Sequence, residues 1–244
     1  MAVLPHEGKY SIMYGSQAVP VGSAYRHGYL ARPDEAGRFP TVVLLPGSDG
    51  MDGFTKHFAR RLGRSGLACL VVDLYGGDDP LDAYHARTDK EVLIDIDETF
   101  EFLQSDDVFW ALGSRVGLLG LDLGGRYALI AGAHRPWVGA LALISAPLTG
   151  DEDRDYQVAD LLNALPGSVL GLYGAADDLI APETVDEAQN RNQSGTWLLY
   201  DGAGHWFYDD DHADYLPAAG EDAFVRVRDF FLRYLPPAET EDVG

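Results

Sequence analysis

Residues 120–124 read Gly-Leu-Asp-Leu-Gly. An apolar run over 116–121 leads into them, and a helix-like stretch reaching about Ala133 follows. A strand that turns sharply into a helix between two glycines can lift a nucleophile out of the backbone, and the motif is usually written Gly-x-Ser-x-Gly. Here the apex is Asp122, neither a hydroxyl nor a thiol. A carboxylate attacking an ester makes a mixed anhydride, a poor intermediate. A carboxylate attacking a saturated carbon that bears a leaving group makes an ordinary ester, which an activated water can hydrolyse. Two further residues complete such a cycle. Asp177 ends Tyr-Gly-Ala-Ala-Asp, and His205 ends Asp-Gly-Ala-Gly-His, each just beyond an apolar strand-like run. A histidine held in one tautomer by a carboxylate is the general base this chemistry requires. Asp178, one residue on, is the alternative acid.

These groups need a frame that brings several strand ends together. Short strands are expected at 10–14 and 24–31, joined by a segment containing Gly and Pro, then a turn at 32–37. A buried strand at 41–45 ends in Pro46-Gly47-Ser48-Asp49-Gly50. A helix over about 53–63 places Phe54, Phe58 and Leu62 on one face, with Lys56, Arg60 and Arg61 toward the other. Next come a strand at 67–74, a loop over 75–86, a helix near 88–104, the strand and helix of the elbow, and a strand at 138–144. An acidic loop, a short helix near 156–164, a strand at 168–173, a helix at 182–191, a strand at 196–200 and a helix at 218–234 complete the chain, with 236–244 as a frayed tail. This alternation predicts an α/β class with a mostly parallel, doubly wound sheet in a single domain over 1–244. Ligands in such sheets sit at the carboxyl ends of the strands. The loops starting at Pro46, Tyr75, Asp122, Ala146, Gly174 and Asp201 all fall at that end.

The chain has 244 residues and 46% hydrophobic content, enough for one sizeable core. A formal net charge of -21 argues against nucleic acid and anionic membrane surfaces as partners, and an anionic substrate would need a local cation. No apolar stretch is long enough to span a bilayer. The beginning, Met-Ala-Val-Leu-Pro-His-Glu, lacks the basic-then-apolar layout of a signal peptide. The expectations are a cytoplasmic location and a small-molecule substrate, with monomer or homodimer left open. Cys69 lies in an apolar run and reads as a core residue. No cofactor and no metal are expected. Asp209-Asp210-Asp211-His212 reads as a solvated loop, and the glycine-rich residues 47–53 lack the Lys-Ser/Thr of a phosphate loop. His57 and His85 read as surface residues.

The chain resembles the dienelactone hydrolase family of α/β hydrolases over about residues 10–234. The resemblance is carried by Ala68-Cys69-Leu70-Val71-Val72-Asp73-Leu74-Tyr75, Gly120-Leu121-Asp122-Leu123-Gly124-Gly125-Arg126, Gly174-Ala175-Ala176-Asp177 and Gly202-Ala203-Gly204-His205-Trp206-Phe207. It implies an α/β-hydrolase fold, and residues 147–167 are too few for a large cap domain. It also implies a triad of Asp122, Asp177 and His205, with backbone N–H groups of Leu123 and of Gly47 or Ser48 as an oxyanion hole. The departures bear on chemistry. Asp122 stands where the family usually has Cys, and Gly47 matches the Glu that gates the thiol. The two arginines that grip the carboxylate of dienelactone match Gly77 and Asp209, so the resemblance does not carry that substrate over. Arg126 is a candidate to hold a small carboxylate, or a salt-bridging residue at the helix start. Tyr75, Tyr84, Trp206 and Tyr208 are candidates for contacts to substrate and leaving group. Four functions remain. The first is halide removal from a small haloacid held by Arg126. The others are lactone or ester hydrolysis of the carboxymethylenebutenolidase kind with Asp122 as base, epoxide hydrolysis, and a non-hydrolytic cyclase or ligand-binding scaffold.

Overall fold

The apolar runs at 41–45, 68–72, 116–121 and 138–144 become the interior of one sheet, because strands covered by helices on both faces must be apolar on both. The computed structural model describes residues 8–149, 153–165 and 167–240. In chain order the elements are β1 (Ile12–Val21), β2 (Ala24–Pro33), β3 (Gly37–Leu45), α1 (Gly53–Arg64), β4 (Ala68–Val72), α2 (Pro80–Ala86), α3 (Asp89–Leu103), β5 (Ala111–Leu121) and α4 (Asp122–His134). They continue as β6 (Val138–Ile144), α5 (Val158–Leu161), β7 (Val169–Gly174), α6 (Pro182–Arg191), β8 (Thr196–Tyr200), α7 (Pro217–Tyr234) and β9 (Glu239–Thr240).

The sheet runs β1-β2-β4-β3-β5-β6-β7-β8, with β9 beside the start of β3. β1 pairs antiparallel with β2, and β2 with β4; from β4 to β8 every neighbour is parallel. This is the doubly wound α/β-hydrolase arrangement. Between β6 and β7 the described residues hold only α5 and one 3₁₀ turn, so no large cap is present among them. One apolar layer gathers Val92, Ile96, Leu129 and Val185 from α3, α4 and α6. The other gathers Phe54, Phe58, Leu62, Phe224 and Phe231 from α1 and α7.

The sequence expectation for residues 75–86, a loop, is corrected by α2. Asp79 caps the Leu81 and Asp82 amides and Pro80 occupies the first turn, a start signal that serves a helix too short to show periodicity. The first strand is longer than 10–14, running through Pro20 into a hairpin across Gly22, whose φ is +58°. Proline is tolerated there because β1 is an edge strand. Within the expected tail, Glu239 and Thr240 pair with Arg38 and Gly37, while residues 241–244 lie outside the described set. No helix among the described residues is long and apolar enough to cross a membrane.

The register lines up the strand ends. Leu45 faces Gly120, Leu121 faces Ile144, Ile144 faces Leu172, and Gly174 faces Tyr200. The loops that follow therefore open at one edge. Behind the elbow, α4 is tied to α3 by a buried carboxylate. Asp89 accepts Arg126 Nε at 3.1 Å and Nη2 at 2.7 Å, Arg154 Nη2 at 2.9 Å and the Tyr156 amide at 3.3 Å. Burial raises the Asp89 pKa, but the bonds and charge of Arg126, then Arg154, outweigh it and hold the carboxyl below its usual range. Removing one partner of a buried ion cluster leaves uncompensated charge. Asp89→Ala should cost about 3–5 kcal/mol of stability. Chemical denaturation reads this directly, and an unchanged midpoint would show that the two arginines find other acceptors.

Candidate active site

Asp122 sits at the turn from β5 into α4 with φ +42°, a left-handed conformation that side-chain-bearing residues avoid. The flanking glycines make the turn fit. A Cβ on Gly124 would collide with the carbonyl oxygens of Leu45 and Pro46, so only glycine lets α4 approach the end of β3. Gly47 matters in a different way. A Cβ there would lie 2.8 Å from Asp122 Cβ and 3.0 Å from its Oδ2. The Asp122 carboxylate thus occupies the space beside residue 47, and a glutamate at that position would compete with it.

The Asp122 side chain bonds two different parts of the site. Oδ2 accepts the Ser48 amide at 2.9 Å, and Oδ1 meets His205 Nε2 at 3.2 Å. The other ring nitrogen, Nδ1, meets Asp177 Oδ2 at 2.8 Å, and Asp177 Oδ1 accepts the amides of Leu179 and Ile180 at 2.7 and 3.0 Å. The acid that bonds the imidazole is therefore Asp177, not Asp178. Asp178 lines a neighbouring cavity of about 470 Å³ with Leu179, Gly204, Trp206 and Asp214.

Both imidazole nitrogens face ionised carboxylate oxygens, which only accept hydrogen bonds. Each nitrogen must carry a proton, so His205 rests as a cation. Burial alone would lower its pKa, but the bonds to Asp122 and Asp177 and their charges raise it to about 9. Burial alone would raise Asp122, yet His205 and the Ser48 amide hold it below the usual carboxylate range. Asp122 is 5% and His205 6% exposed, so the pair is largely withdrawn from bulk water.

Of the other residues singled out in the sequence, Leu123 follows Asp122 at the start of α4, where an amide has no acceptor within the helix. Neither its amide nor that of Gly47 bonds Asp122, and the N–H that does belongs to Ser48. Tyr75 is buried and its hydroxyl donates to Pro46 O at 2.7 Å, bracing the turn that carries Ser48. Burial, then Tyr127 and Asp122, push its phenol well above the ordinary range. Tyr84 packs 5.9 Å from Tyr127 and lies under the Arg154 guanidinium at 4.4 Å. Trp206 stands edge-on to His205 at 4.8 Å. Tyr208 is buried against Phe54, and burial followed by the charges of Asp122 and Asp209 raise its phenol strongly, so it stays an O–H donor near Asp122.

Of the two sequence readings of Arg126, the salt bridge is the one observed, and the carboxylate-holding one is corrected. Arg126 is 0% exposed, clamps Asp89 and also donates to Tyr156 O at 2.6 Å. The solvated-loop reading fails at Asp209, which is buried, with Oδ1 accepting the Asp211 amide at 2.8 Å. Burial, with Asp52, Asp211 and Asp49 adding to it against that amide bond, pushes its carboxyl up to about 6. Ser145, which sequence reading passed over, has φ +49° and donates its hydroxyl to His205 O at 2.8 Å. Nothing in residue order announces such a backbone angle. Among the described residues no cluster of His, Cys, Asp and Glu has the arrangement of a metal site.

Comparison with known proteins places the fold in a family. The sequence model of the dienelactone hydrolase family matches residues 27–235. A "Putative carboxymethylenebutenolidase" of Methylorubrum extorquens is 27% identical over 240 residues, covering 91% of this chain and 82% of that protein. A "Probable 2-oxo-3-(5-oxofuran-2-ylidene)propanoate lactonase" of Bradyrhizobium sp is 29% identical over 215 residues, covering 82% and 86%. Among solved structures, a "Putative Dienelactone Hydrolase" from Klebsiella pneumoniae superposes with a TM-score of 0.83 at 25% identity, covering 92% of this chain and all of that one.

The charged imidazole gives a pH prediction. A group whose pKa is raised on folding stabilises fully below its unfolded value, about 6.5, and loses that contribution as pH climbs through about 9. Relative to His205→Gln, the unmodified protein should therefore lose stability between those two values. In NMR the His205 ring should titrate near 9, and Asp122→Asn should lower that value. Titration near the ordinary value in the unmodified protein would refute the resting ion pair.

Proposed function

This chain belongs to the dienelactone hydrolase family, and from that membership and the placement of Asp122 we propose that it is a hydrolase whose nucleophile is the Asp122 carboxylate. One observation carries the reading. Asp122 Oδ2 sits on the Ser48 amide while Oδ1 stands beside His205. In the first half-reaction an Oδ1 lone pair forms a bond to a saturated carbon of the substrate. The bond to the leaving group breaks, and the electron pair departs with it. The hydroxyl of Tyr208 is a donor of suitable chemistry for that departing atom. The product on the enzyme is an alkyl ester of Asp122 whose carbonyl oxygen is Oδ2, already on an N–H donor. When water attacks that carbonyl carbon, the developing oxyanion needs no rearrangement to be stabilised; one such donor is worth roughly 3 kcal/mol.

Ester formation also switches the base on. It removes the charge of Asp122, one of the two carboxylates that raise His205. The imidazolium then gives up a proton to solvent more readily, and Nε2 becomes an acceptor for a proton of the attacking water. Asp177 keeps Nδ1 protonated and the ring in place. Hydrolysis returns Asp122 as a carboxylate, releases an alcohol and recharges His205.

The substrate class follows from electrostatics. The haloacid form of this cycle loses its anchor because Arg126 is spent on Asp89. Asp49 lies within electrostatic reach of Asp122, and the chain carries a net charge of -21. A neutral electrophile, an alkyl halide or an epoxide, suits this site better than an anion. A second reading is favoured by the names of the relatives, hydrolysis of a lactone or ester at its carbonyl carbon. In that case Asp122 acts as the base that activates water and is never esterified.

Turnover of styrene oxide, bromoethane and butyrolactone separates the two. In water carrying heavy oxygen, the ester cycle puts label into the Asp122 carboxylate, whereas direct attack on a lactone does not. Asp122→Asn should lower turnover at least about a thousandfold. His205→Gln should stall with an alkyl adduct on Asp122, seen as a mass increase on the peptide containing it. An unlabelled Asp122 after many turnovers would sink the nucleophile reading and leave the lactone one.

A further inference from the structure

We propose that Ser145 is a positioning residue for His205, holding the imidazole against Asp122 for the hydrolytic step. Ser145 follows β6, is fully buried, and has φ +49°. Among the described residues other than glycine, only it and Asp122 have positive φ. Backbone in that region persists when the surroundings over-determine it, and such residues gather at functional sites. The surroundings here are specific. The Ser145 amide donates to Leu172 O in β7 at 3.0 Å, and its hydroxyl reaches past β7 to donate to the His205 carbonyl at 2.8 Å. On the other side, Ile144 pairs with Leu121, the residue immediately before Asp122. The neighbouring Ala146 packs so tightly on α4 that a Cβ on Gly125 would collide with it.

Ser145 therefore joins the strand end beside the elbow to the main chain of the loop that carries His205. The imidazole ends are held by two carboxylates, but carboxylates attract the ring from any nearby position. The Ser145 hydroxyl sets where the ring begins. This inference rests on the Asp122-ester cycle for its kinetic signature, because displacement at carbon needs only Asp122 while ester hydrolysis needs Nε2 aligned with a water.

Two variants test it. Ser145→Ala removes the hydroxyl and keeps a side chain at positive φ; Ser145→Gly removes the hydroxyl and the conformational strain together. Both should form the Asp122 adduct from styrene oxide or bromoethane at the unmodified rate, yet hydrolyse it about tenfold or more slowly, since small misplacements of reacting groups carry costs of that order. Adduct should then accumulate in the steady state. Independently of any substrate, the His205 ring in both variants should titrate below its value of about 9, as its contact with Asp122 loosens. A purely structural role would change melting temperature and leave the titration in place. Unchanged His205 titration in Ser145→Gly overturns the proposal. So does adduct hydrolysis at the unmodified rate. If the unmodified protein and His205→Gln form no adduct at all, it is the ester cycle that fails, and the titration still decides the role of Ser145.

Discussion

Everything in this site depends on one buried arrangement, an imidazole between two carboxylates. Two negative charges and one positive charge, almost sealed from water, stay ionised together because each satisfies the others. Neither carboxylate would be tolerated there alone, since burial raises the pKa of Asp122 and Asp177 alike, and His205, backbone amides and the Ser48 side chain reverse it. The same coupling makes the site responsive. Any event that neutralises Asp122, protonation or alkylation, changes the proton affinity of His205. That is a chemical reason for a carboxylate and a histidine to share one pocket, beyond the geometric reason of reach.

The fold exists, for this purpose, to hold that trio still. The parallel register leaves β3, β5, β6, β7 and β8 ending at one edge, and each of those ends contributes one part. Ser48 brings an amide, Asp122 the carboxylate, Ser145 a hydroxyl, Asp177 the acid and His205 the ring. Elsewhere buried charge is spent on architecture. Asp89 binds two arginines from different segments and fastens the elbow helix from behind, and that use removes Arg126 from the pocket. The outcome is a site with acidic surroundings and no cation free among the sequence-named candidates to greet an anion. For a chain of this net charge, such surroundings disfavour anions.

Asp122 and Gly47 are distant in sequence and adjacent in space. They lie 75 positions apart in the chain. In space the glycine vacates the volume that the aspartate carboxylate and its contact with Ser48 require.

Much of this was legible in residue order. Alternating apolar runs and amphipathic stretches announce a parallel sheet wrapped in helices, because burial on two faces demands continuous apolar strands. The elbow and the order Asp122, Asp177, His205 are local patterns, and local patterns survive in a string of letters. Tertiary structure decided what depends on direction and distance. It chose Asp177 over Asp178, since one residue along a loop points a side chain elsewhere. It turned Arg126 inward, because a helix has an inner face and Asp89 waits beneath it. It buried Asp209 although the residues that follow it in sequence are acidic and polar. It put Ser145 on the His205 carbonyl through a backbone angle that no propensity records. Sequence determines which groups are available and which strands must be buried. Which groups face each other is settled only when long-range packing fixes their orientation.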